Sequence, residues 1–179
     1  MRVFIILIFT AFTTGALAQC PKNPAISEEL DEAYRSLKFA KFPRDAQVAT
    51  DVLWSLWTRA PDNRAQRLLN RGMMNLRLGD LAAAEGFLSV LIKYCPDYAE
   101  GYNQRAFARY LAGNFEGALP DLARALSIQP RHLGALSGKG LTHLALGQPE
   151  LAEIEFRKEM ALNPFTADRD LIPNLGTDL

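Results

Sequence analysis

Apolar residues recur at intervals of three or four positions along most of the chain, and short polar breaks separate these apolar stretches. This spacing places the apolar side chains on one face of an α-helix. Glycine followed by a polar residue, and proline further along, interrupt the pattern at regular intervals. Such breaks end one helix and let the next begin, because glycine adopts the left-handed conformation easily and proline has no amide hydrogen. The pattern therefore predicts an all-α chain built from helical hairpins.

The breaks and the packing positions repeat with a period of 34 residues. A small residue recurs in each first helix, glycine in each turn, alanine and then a bulky apolar residue in each second helix, and proline after it. Small residues let two helices approach closely, and the bulky ones fill the remaining space. The five series are Gly72, Ala106 and Gly140; Gly79, Gly113 and Gly147; Ala84, Ala118 and Ala152; Leu88, Leu122 and Phe156; and Pro96, Pro130 and Pro164.

This pattern resembles the tetratricopeptide repeat (TPR) family, whose helix–turn–helix unit is 34 residues long. The resemblance covers three tandem units, at residues 65–98, 99–132 and 133–166. Arg109 departs from it because an aromatic residue is usual there, and Leu91 and Glu159 stand where alanine is usual. The resemblance implies a right-handed superhelical array of hairpins, an α-solenoid. In such an array the first helix of each unit lines the concave face and the second helix lines the convex face.

Both ends of the array depart from the repeat. Residues 27–62 fit a degenerate helical hairpin that caps the N-terminal end. Trp54 and Trp57 lie in this hairpin as either an aromatic contact surface or core, and we expect Trp57 at least to be core. Residues 167–179 form a short C-terminal tail, a thin lid for the last repeat. Because a repeat array needs a polar cap at each end, a partner or a second copy of the chain could complete this end.

The resemblance also implies a peptide-binding groove on the concave face. Its inner positions project away from the packing side of the first helices, at about 100° per residue. Among them, Met73, Phe107 and Leu141 form an apolar ladder, which either packs between neighbouring first helices or contacts a ligand. The candidate groove residues are Gln66, Asn70, Met73, Arg77, Asn103, Phe107, Tyr110, Ser137 and Leu141.

The first eighteen residues have the three parts of a secretory signal peptide. Arg2 supplies a positive start, residues 3–12 are apolar except for Thr10, and residues 16–18 form a small-x-small cleavage signature. A membrane anchor is the alternative, but the apolar run is shorter than the ~20 residues that a spanning helix needs. We therefore expect residues 1–18 to be removed, residues 19–26 to form an N-terminal tail, and the mature protein to be exported to the periplasm.

The two cysteines leave three alternatives open. In an exported protein, Cys20 and Cys95 could pair as a disulfide. The position of Cys20 in a terminal tail instead slightly favours two free thiols. Cys20 could also be the acylated cysteine of a lipoprotein anchored at the envelope, but Gln19 stands where such signals have glycine, alanine or serine.

Charge and motif content argue against several functions. The chain has 20 basic and 20 acidic residues without long runs of like charge, which argues against nucleic acid as a partner. His132 and His143 are not spaced as metal ligands, and no cysteine cluster accompanies them. No nucleophile elbow or paired-carboxylate arrangement is present. We therefore expect no enzymatic activity, no metal or cofactor and no small-molecule substrate.

These features favour a non-enzymatic scaffold that binds a peptide or protein segment in the concave TPR groove. Arg77, Asn70 and Asn103 alone are too few polar groups for a carboxylate clamp, so recognition of a C-terminal carboxylate is not expected. The alternative is a structural subunit of an envelope complex that forms homo-oligomers through its poorly capped C-terminal end.

Overall fold

The computed structural model describes residues 20–21 and 26–172, so the predicted signal peptide lies outside the described residues. Within these ranges the chain forms eight α-helices, a short 3-10 helix and no strand, which confirms the all-α helical solenoid. None of these helices is long and apolar enough to cross a membrane. The helices are α1 (Ile26–Lys38), α2 (Pro43–Trp57), α3 (Asn63–Leu78), α4 (Leu81–Tyr94), α5 (Ala99–Leu111), α6 (Phe115–Ile128), α7 (Leu133–Ala145), α8 (Pro149–Leu162) and the 3-10 helix Ala167–Leu171.

The turn inside each of the three repeats follows the glycine signal of the sequence. Asp80 and Asn114 then cap α4 and α6, and the Asn114 side chain accepts a hydrogen bond of 3.0 Å from the Gly117 amide. These caps satisfy amide groups that have no partner within the helix. The glycines adopt φ angles near +70°, a conformation that strains residues with a side chain; they are Gly79, Gly113 and Gly147.

Close approach of the two helices in a repeat explains the small residues of the first helices. A Cβ atom added to Gly72 would lie 2.6 Å from Leu88 Cγ, and one added to Gly140 would lie 2.3 Å from Phe156 Cε1. Both distances are too short for a side chain, so glycine at these two positions avoids a clash with Leu88 and Phe156. The packing roles predicted from the 34-residue period are therefore present in the structure.

The N-terminal hairpin of α1 and α2 does more than cap one end of the array. Leu133 of α7 and Leu162 of α8 pack into its core. The hydroxyl group of Tyr34 donates a hydrogen bond to the Arg131 carbonyl, and the ring of Trp57 stacks on His132 with centroids 4.1 Å apart. The prediction of a simple N-terminal cap is therefore incomplete. The hairpin carries apolar and aromatic groups that find their partners at the junction of the second and third repeats.

A disulfide joins Cys20 to Cys95 at the end of α4. Cys20 packs against the apolar core of the first repeat, in which Cys95 is 1% exposed. The free thiols that the tail position slightly favoured are therefore not found, because Cys20 lies against the core that contains Cys95.

The C-terminal end of the array is better covered than the sequence indicated. Ile172 follows the 3-10 helix and is buried against Ala152 and Phe156. The Thr166 hydroxyl donates a hydrogen bond of 2.7 Å to Glu159 on α8. This lid removes part of the open apolar surface on which the self-association alternative depends.

Candidate functional site

A cavity of about 340 Å³ opens between α3, α5 and α7, the first helices of the three repeats, and also reaches Trp54 of α2. Most of its wall is apolar. Seven of the nine predicted groove residues line it, namely Met73, Arg77, Asn103, Phe107, Tyr110, Ser137 and Leu141. The structure thus brings together residues that lie up to 68 positions apart in the sequence, at two repeat periods.

The other two predicted groove residues, Gln66 and Asn70, do not line the cavity. Gln66 accepts a hydrogen bond of 2.9 Å from the Ala60 amide and donates one of 3.1 Å to the Thr58 carbonyl. It also donates to Asn70 at 3.0 Å. Both side chains lie near the segment between α2 and α3. The Thr58 carbonyl and the Ala60 amide in this segment have no partner within a helix, and the Gln66 side chain provides their hydrogen bonds.

The members of the apolar ladder are not equivalent. Met73 is half-buried against the core of the first repeat, and Leu141 is half-buried against the core of the third repeat. Phe107 remains 48% exposed between them. Both interpretations of the ladder therefore apply: its outer members pack within the array and still reach the cavity, whereas its central member is free to contact a ligand.

Two glycines of α7 create the hollow. Gly134 and Gly138 occupy positions at which the second repeat has Glu100 and Gln104. Without side chains there, the cavity extends down to Leu122 of α6, whose Cδ2 atom lies 3.1 Å from the position a Gly138 Cβ would take. In the sequence, this hollow is indicated only by two glycines that lie four residues apart on the inner face of α7.

Trp54 of α2 lines the cavity, and the sequence prediction did not place it there. Its side chain is 40% exposed, and its ring lies edge-on to Trp57, with centroids 6.2 Å apart. A Cβ atom on Gly134 would lie 3.5 Å from Trp54 Cζ3. Trp57 is 4% exposed and belongs to the core, as predicted. No pattern within the hairpin shows where it packs, so only the tertiary structure assigns Trp54 to the cavity.

A buried polar cluster supports the cavity wall. Glu100 is 1% exposed and accepts hydrogen bonds from the amides of Asn103 at 3.2 Å and Gln104 at 2.6 Å. His132 Nε2 lies 2.8 Å from Glu100, and His132 Nδ1 accepts a hydrogen bond of 3.2 Å from the Ala135 amide. Because Nδ1 acts as an acceptor, the neutral imidazole carries its hydrogen on Nε2, and this N–H group donates a hydrogen bond to the Glu100 carboxylate. The cluster fixes both amides in the wall.

The charge at the cavity comes from Arg77 alone among the described residues that line it. Arg77 makes no ion pair within the described part of the chain. In the same part of the chain, no group of three or more His, Cys, Asp or Glu side chains is placed to hold a metal ion. The cavity therefore offers a ligand an apolar surface and one positive charge.

Curated relatives of the chain are repeat proteins. It is 28% identical over 142 residues to a TPR repeat-containing protein of Rhizobium etli, a match that covers 79% of this chain and 69% of that protein. It is 31% identical over 121 residues to tetratricopeptide repeat protein 36 of Bos taurus. The sequence of this chain is thus similar to those of tetratricopeptide repeat proteins. The bovine match covers 65% of this chain and 64% of the bovine protein. No family model matches the sequence.

Solved structures of TPR proteins share the fold of this chain. The TPR domain of Arabidopsis OM64 superposes with a TM-score of 0.60 at 21% identity, covering 64% of this chain and 96% of that domain. The first TPR domain of Spaghetti (RPAP3), bound to the HSP90 peptide SRMEEVD, has a TM-score of 0.59 at 20% identity and covers 60% and 85%. The MamA protein has a TM-score of 0.52 at 19% identity and covers 82% and 75%.

Arg109, which stands where the repeat pattern usually has an aromatic residue, makes ion pairs with the second helices of two repeats and does not line the cavity. It contacts Glu85 of α4 at 2.7 Å and Asp121 of α6 at 3.1 Å. Asp121 also pairs with Arg105 at 2.6 Å, and this hydrogen bond raises the pKa of the Arg105 guanidinium. An ion-pair network thus joins the first and second repeats where the family usually has an aromatic residue.

Proposed function

We propose that this protein is a non-enzymatic scaffold that binds a segment of a protein partner on its concave face. The observation that carries the proposal is the cavity itself, whose apolar wall comes from the first helices of all three repeats and whose central residue, Phe107, is half exposed. A large aromatic side chain in this position gains contact area when a ligand covers it.

The ligand class has support from a structural neighbour. The first TPR domain of Spaghetti is bound to an HSP90 peptide, and its fold is shared by this chain. A peptide or protein segment is therefore the class of ligand we assign to the cavity. Repeat proteins share a scaffold but differ in the side chains on its inner face, so the peptide sequence that is bound differs from one repeat protein to another.

The apolar ladder limits the expected affinity. Full burial of a large apolar side chain contributes roughly 1.5–3 kcal/mol, and Met73 and Leu141 are already half-buried. A micromolar complex requires about 8 kcal/mol after the cost of ordering both partners. We expect micromolar or weaker binding and a transient complex.

A charge placed at Phe107 tests this proposal. Crosslinking in the native envelope followed by mass spectrometry first identifies a partner, and binding of the purified partner is then measured. Phe107→Glu is expected to weaken binding at least tenfold, or about 1.4 kcal/mol, because a carboxylate then faces the apolar partner. The control is Val90→Glu, since Val90 is 49% exposed on α4 and does not line the cavity.

Both variants should retain the thermal unfolding midpoint of the unmodified protein within a few degrees, since both positions are half exposed. Equal loss of binding in the two variants, or no loss in Phe107→Glu, would rule out the concave cavity as the binding site. Unfolding of Phe107→Glu alone would instead identify Phe107 as a core residue.

We also propose that the protein acts in an oxidising compartment, the periplasm, after export. The signal-peptide pattern of residues 1–18 supports export, and the disulfide between Cys20 and Cys95 supports an oxidising environment. A thioether-linked lipid would use the same Cys20 sulfur that bonds to Cys95. Intact mass measurement of the protein isolated from the envelope distinguishes the two: a disulfide-bonded chain starting at Gln19 is expected, and an acylated chain starting at Cys20 would contradict it.

A further inference from the structure

The protein's own N-terminal hairpin contributes a residue to the wall of the cavity. Trp54 on α2 lines the cavity together with residues of α3, α5 and α7. A Cβ atom on Gly134 would lie 3.5 Å from Trp54 Cζ3, so the indole ring stands beside the first turn of α7. The cavity is therefore a pocket whose wall includes a residue from outside the three repeats.

We propose, on the basis of the function proposed above, that this pocket takes one bulky apolar side chain whose neighbouring residue carries a carboxylate. Trp54 provides a face for the apolar side chain, and Arg77 pairs with the carboxylate. The inference adds to the proposed function a determinant of specificity in the hairpin, outside the three repeats, and a chemical class for the partner segment.

The size and wall of the pocket support the apolar anchor. A volume of about 340 Å³ is at the lower end of ligand pockets in general. Gly134 and Gly138 leave the hollow beneath Trp54, and Leu122 forms its floor. A wall of this composition is favourable for a side chain without charge, because a charged group placed there would lose its hydration without a partner.

The charge distribution supports the neighbouring carboxylate. Arg77 is exposed at the pocket and has no ion pair within the described residues. No Asp or Glu is among the described residues that line the pocket, and the nearby Glu100 is buried and already bonded to His132. A single cation beside an apolar hollow is complementary to one carboxylate next to an apolar anchor. That carboxylate belongs to an acidic side chain, because Arg77 is the only cation among the described lining residues and Asn70 does not line the pocket, which leaves too few polar groups to clamp a chain terminus.

The hairpin holds Trp54 in place as a fixed wall. Trp57, one helical turn after Trp54, stacks on His132. Tyr34 and Asp31 of α1 both bond to Arg131, just before the third repeat begins. A wall that is ordered before binding reduces the entropy that association costs. Trp54 is therefore a positioning and specificity residue that requires no closing movement.

Short synthetic peptides, labelled with a fluorophore and titrated with the full mature chain, test the inference by fluorescence anisotropy. The reference peptide carries Phe followed by Glu between serines, with both termini blocked. Three others replace Phe by Ala, replace Glu by Gln, or place Phe at a free C-terminus. We expect the reference peptide to bind about tenfold more tightly than the Ala and Gln peptides. The free-terminus peptide should bind more weakly than the reference peptide, and tighter binding of it would overturn the acidic side chain as the ligand of Arg77.

Variants of the wall then identify the residues responsible. Trp54→Ala should weaken binding of the reference peptide about tenfold, and Trp54→Phe should stay within about threefold of the unmodified protein. Val52→Ala is the matched control, because Val52 is 44% exposed on the same helix and does not line the pocket. Arg77→Gln should remove the preference for Glu over Gln and leave the preference for Phe over Ala.

The outcomes separate this inference from the proposed function. Loss of partner binding in Phe107→Glu, with unchanged peptide binding in folded Trp54→Ala, would overturn the role of Trp54 and leave the scaffold function standing. Failure of every peptide to bind the unmodified protein would overturn the anchor-and-carboxylate chemistry. If neither Phe107→Glu nor Trp54→Ala affects the crosslinked partner, both proposals are wrong.

Discussion

Glu100 shows how a single buried residue connects the fold to the cavity. A carboxylate that is 1% exposed is costly unless hydrogen bonds replace its hydration. His132, Asn103 and Gln104 donate these hydrogen bonds. His132 Nδ1 also accepts a hydrogen bond from the Ala135 amide at the start of α7. The same contacts therefore cap a helix, position two residues of the cavity wall and place the imidazole on which Trp57 stacks.

A second buried acidic group, Glu159, is expected to make the stability of the protein depend on pH. Glu159 is 5% exposed, and burial followed by the nearby Asp168 raises its pKa from 4.5 to about 8. Between these two pH values the folded protein holds a proton that the unfolded chain releases. The free energy of unfolding should therefore fall as pH rises through this interval, by at most about 1.4 kcal/mol per pH unit.

Urea unfolding at a series of pH values measures this dependence. Glu159→Gln keeps the shape of the protonated group and should flatten the slope between pH 5 and about 8. Glu150→Gln, an exposed position on the same helix, should leave the slope unchanged. An identical slope in Glu159→Gln and the unmodified protein would show that another group is responsible.

At the scale of helices, each repeat has a cationic residue on its first helix that contacts a residue sixteen positions later on its second helix. The partner changes from repeat to repeat while the spacing stays the same. Arg71 lies over the Phe87 ring at 5.5 Å in the first repeat. Ion pairs take its place in the next two, Arg105 with Asp121 at 2.6 Å and Lys139 with Glu155 at 2.9 Å. The helical geometry thus fixes which positions meet, and the side chains decide how they interact.

Helix α6 contains a testable departure from good helix sequence. It continues through Pro120, which has no amide hydrogen to donate to the Glu116 carbonyl. Proline in a helix interior costs about 3 kcal/mol relative to alanine, and Pro120 is exposed. Pro120→Ala should therefore raise the free energy of unfolding by about 1–3 kcal/mol in a urea titration.

Pro149 provides the control, because it occupies the first position of α8, where proline fits the helix. Pro149→Ala should change the free energy of unfolding by less than about 0.5 kcal/mol. If Pro120→Ala instead destabilises the protein, the proline sets a helix geometry that the packing of the second repeat requires.

At the scale of the whole molecule, the N-terminal segment ties distant parts of the array together. The disulfide holds Cys20 on the first repeat. The hairpin that follows packs against Leu133 and Leu162 of the third repeat. The N-terminal segment thus contacts both the first and the third repeat.

Removing the disulfide tests this arrangement. The bond closes a loop with a sequence separation of 75 residues, which corresponds to about 4 kcal/mol in the chain-entropy account. The double variant with Cys20→Ala and Cys95→Ala should lower the free energy of unfolding by about 2–4 kcal/mol. Reduction of the unmodified protein should have a similar effect, and reduction of the double variant should have none.

An unchanged denaturation midpoint after reduction of the unmodified protein would show that Cys20 contributes no tether. Thiol titration under denaturing conditions provides the direct check, since a disulfide-bonded chain has no reactive thiol before reduction.

Much of the fold and part of the site could be predicted because they depend on spacing. Gly72 and Gly140 must be small because they face Leu88 and Phe156 in the same repeat. The cavity residues of the three repeats follow the same period. The sequence pattern did not show that Gln66 lies outside the cavity, because its partners are in the irregular segment before α3, which has no repeat to follow.

The sequence by itself determined the helices and their arrangement as a solenoid of hairpins, because a 34-residue period and a helical pitch fix which side chains meet within and between neighbouring repeats. Only the tertiary structure decided where the N-terminal hairpin packs, that Cys20 meets Cys95, and that Trp54 lines the cavity. These contacts join residues outside the period, and their geometry depends on how the complete array curves in space. Local sequence patterns carry no information about that curvature.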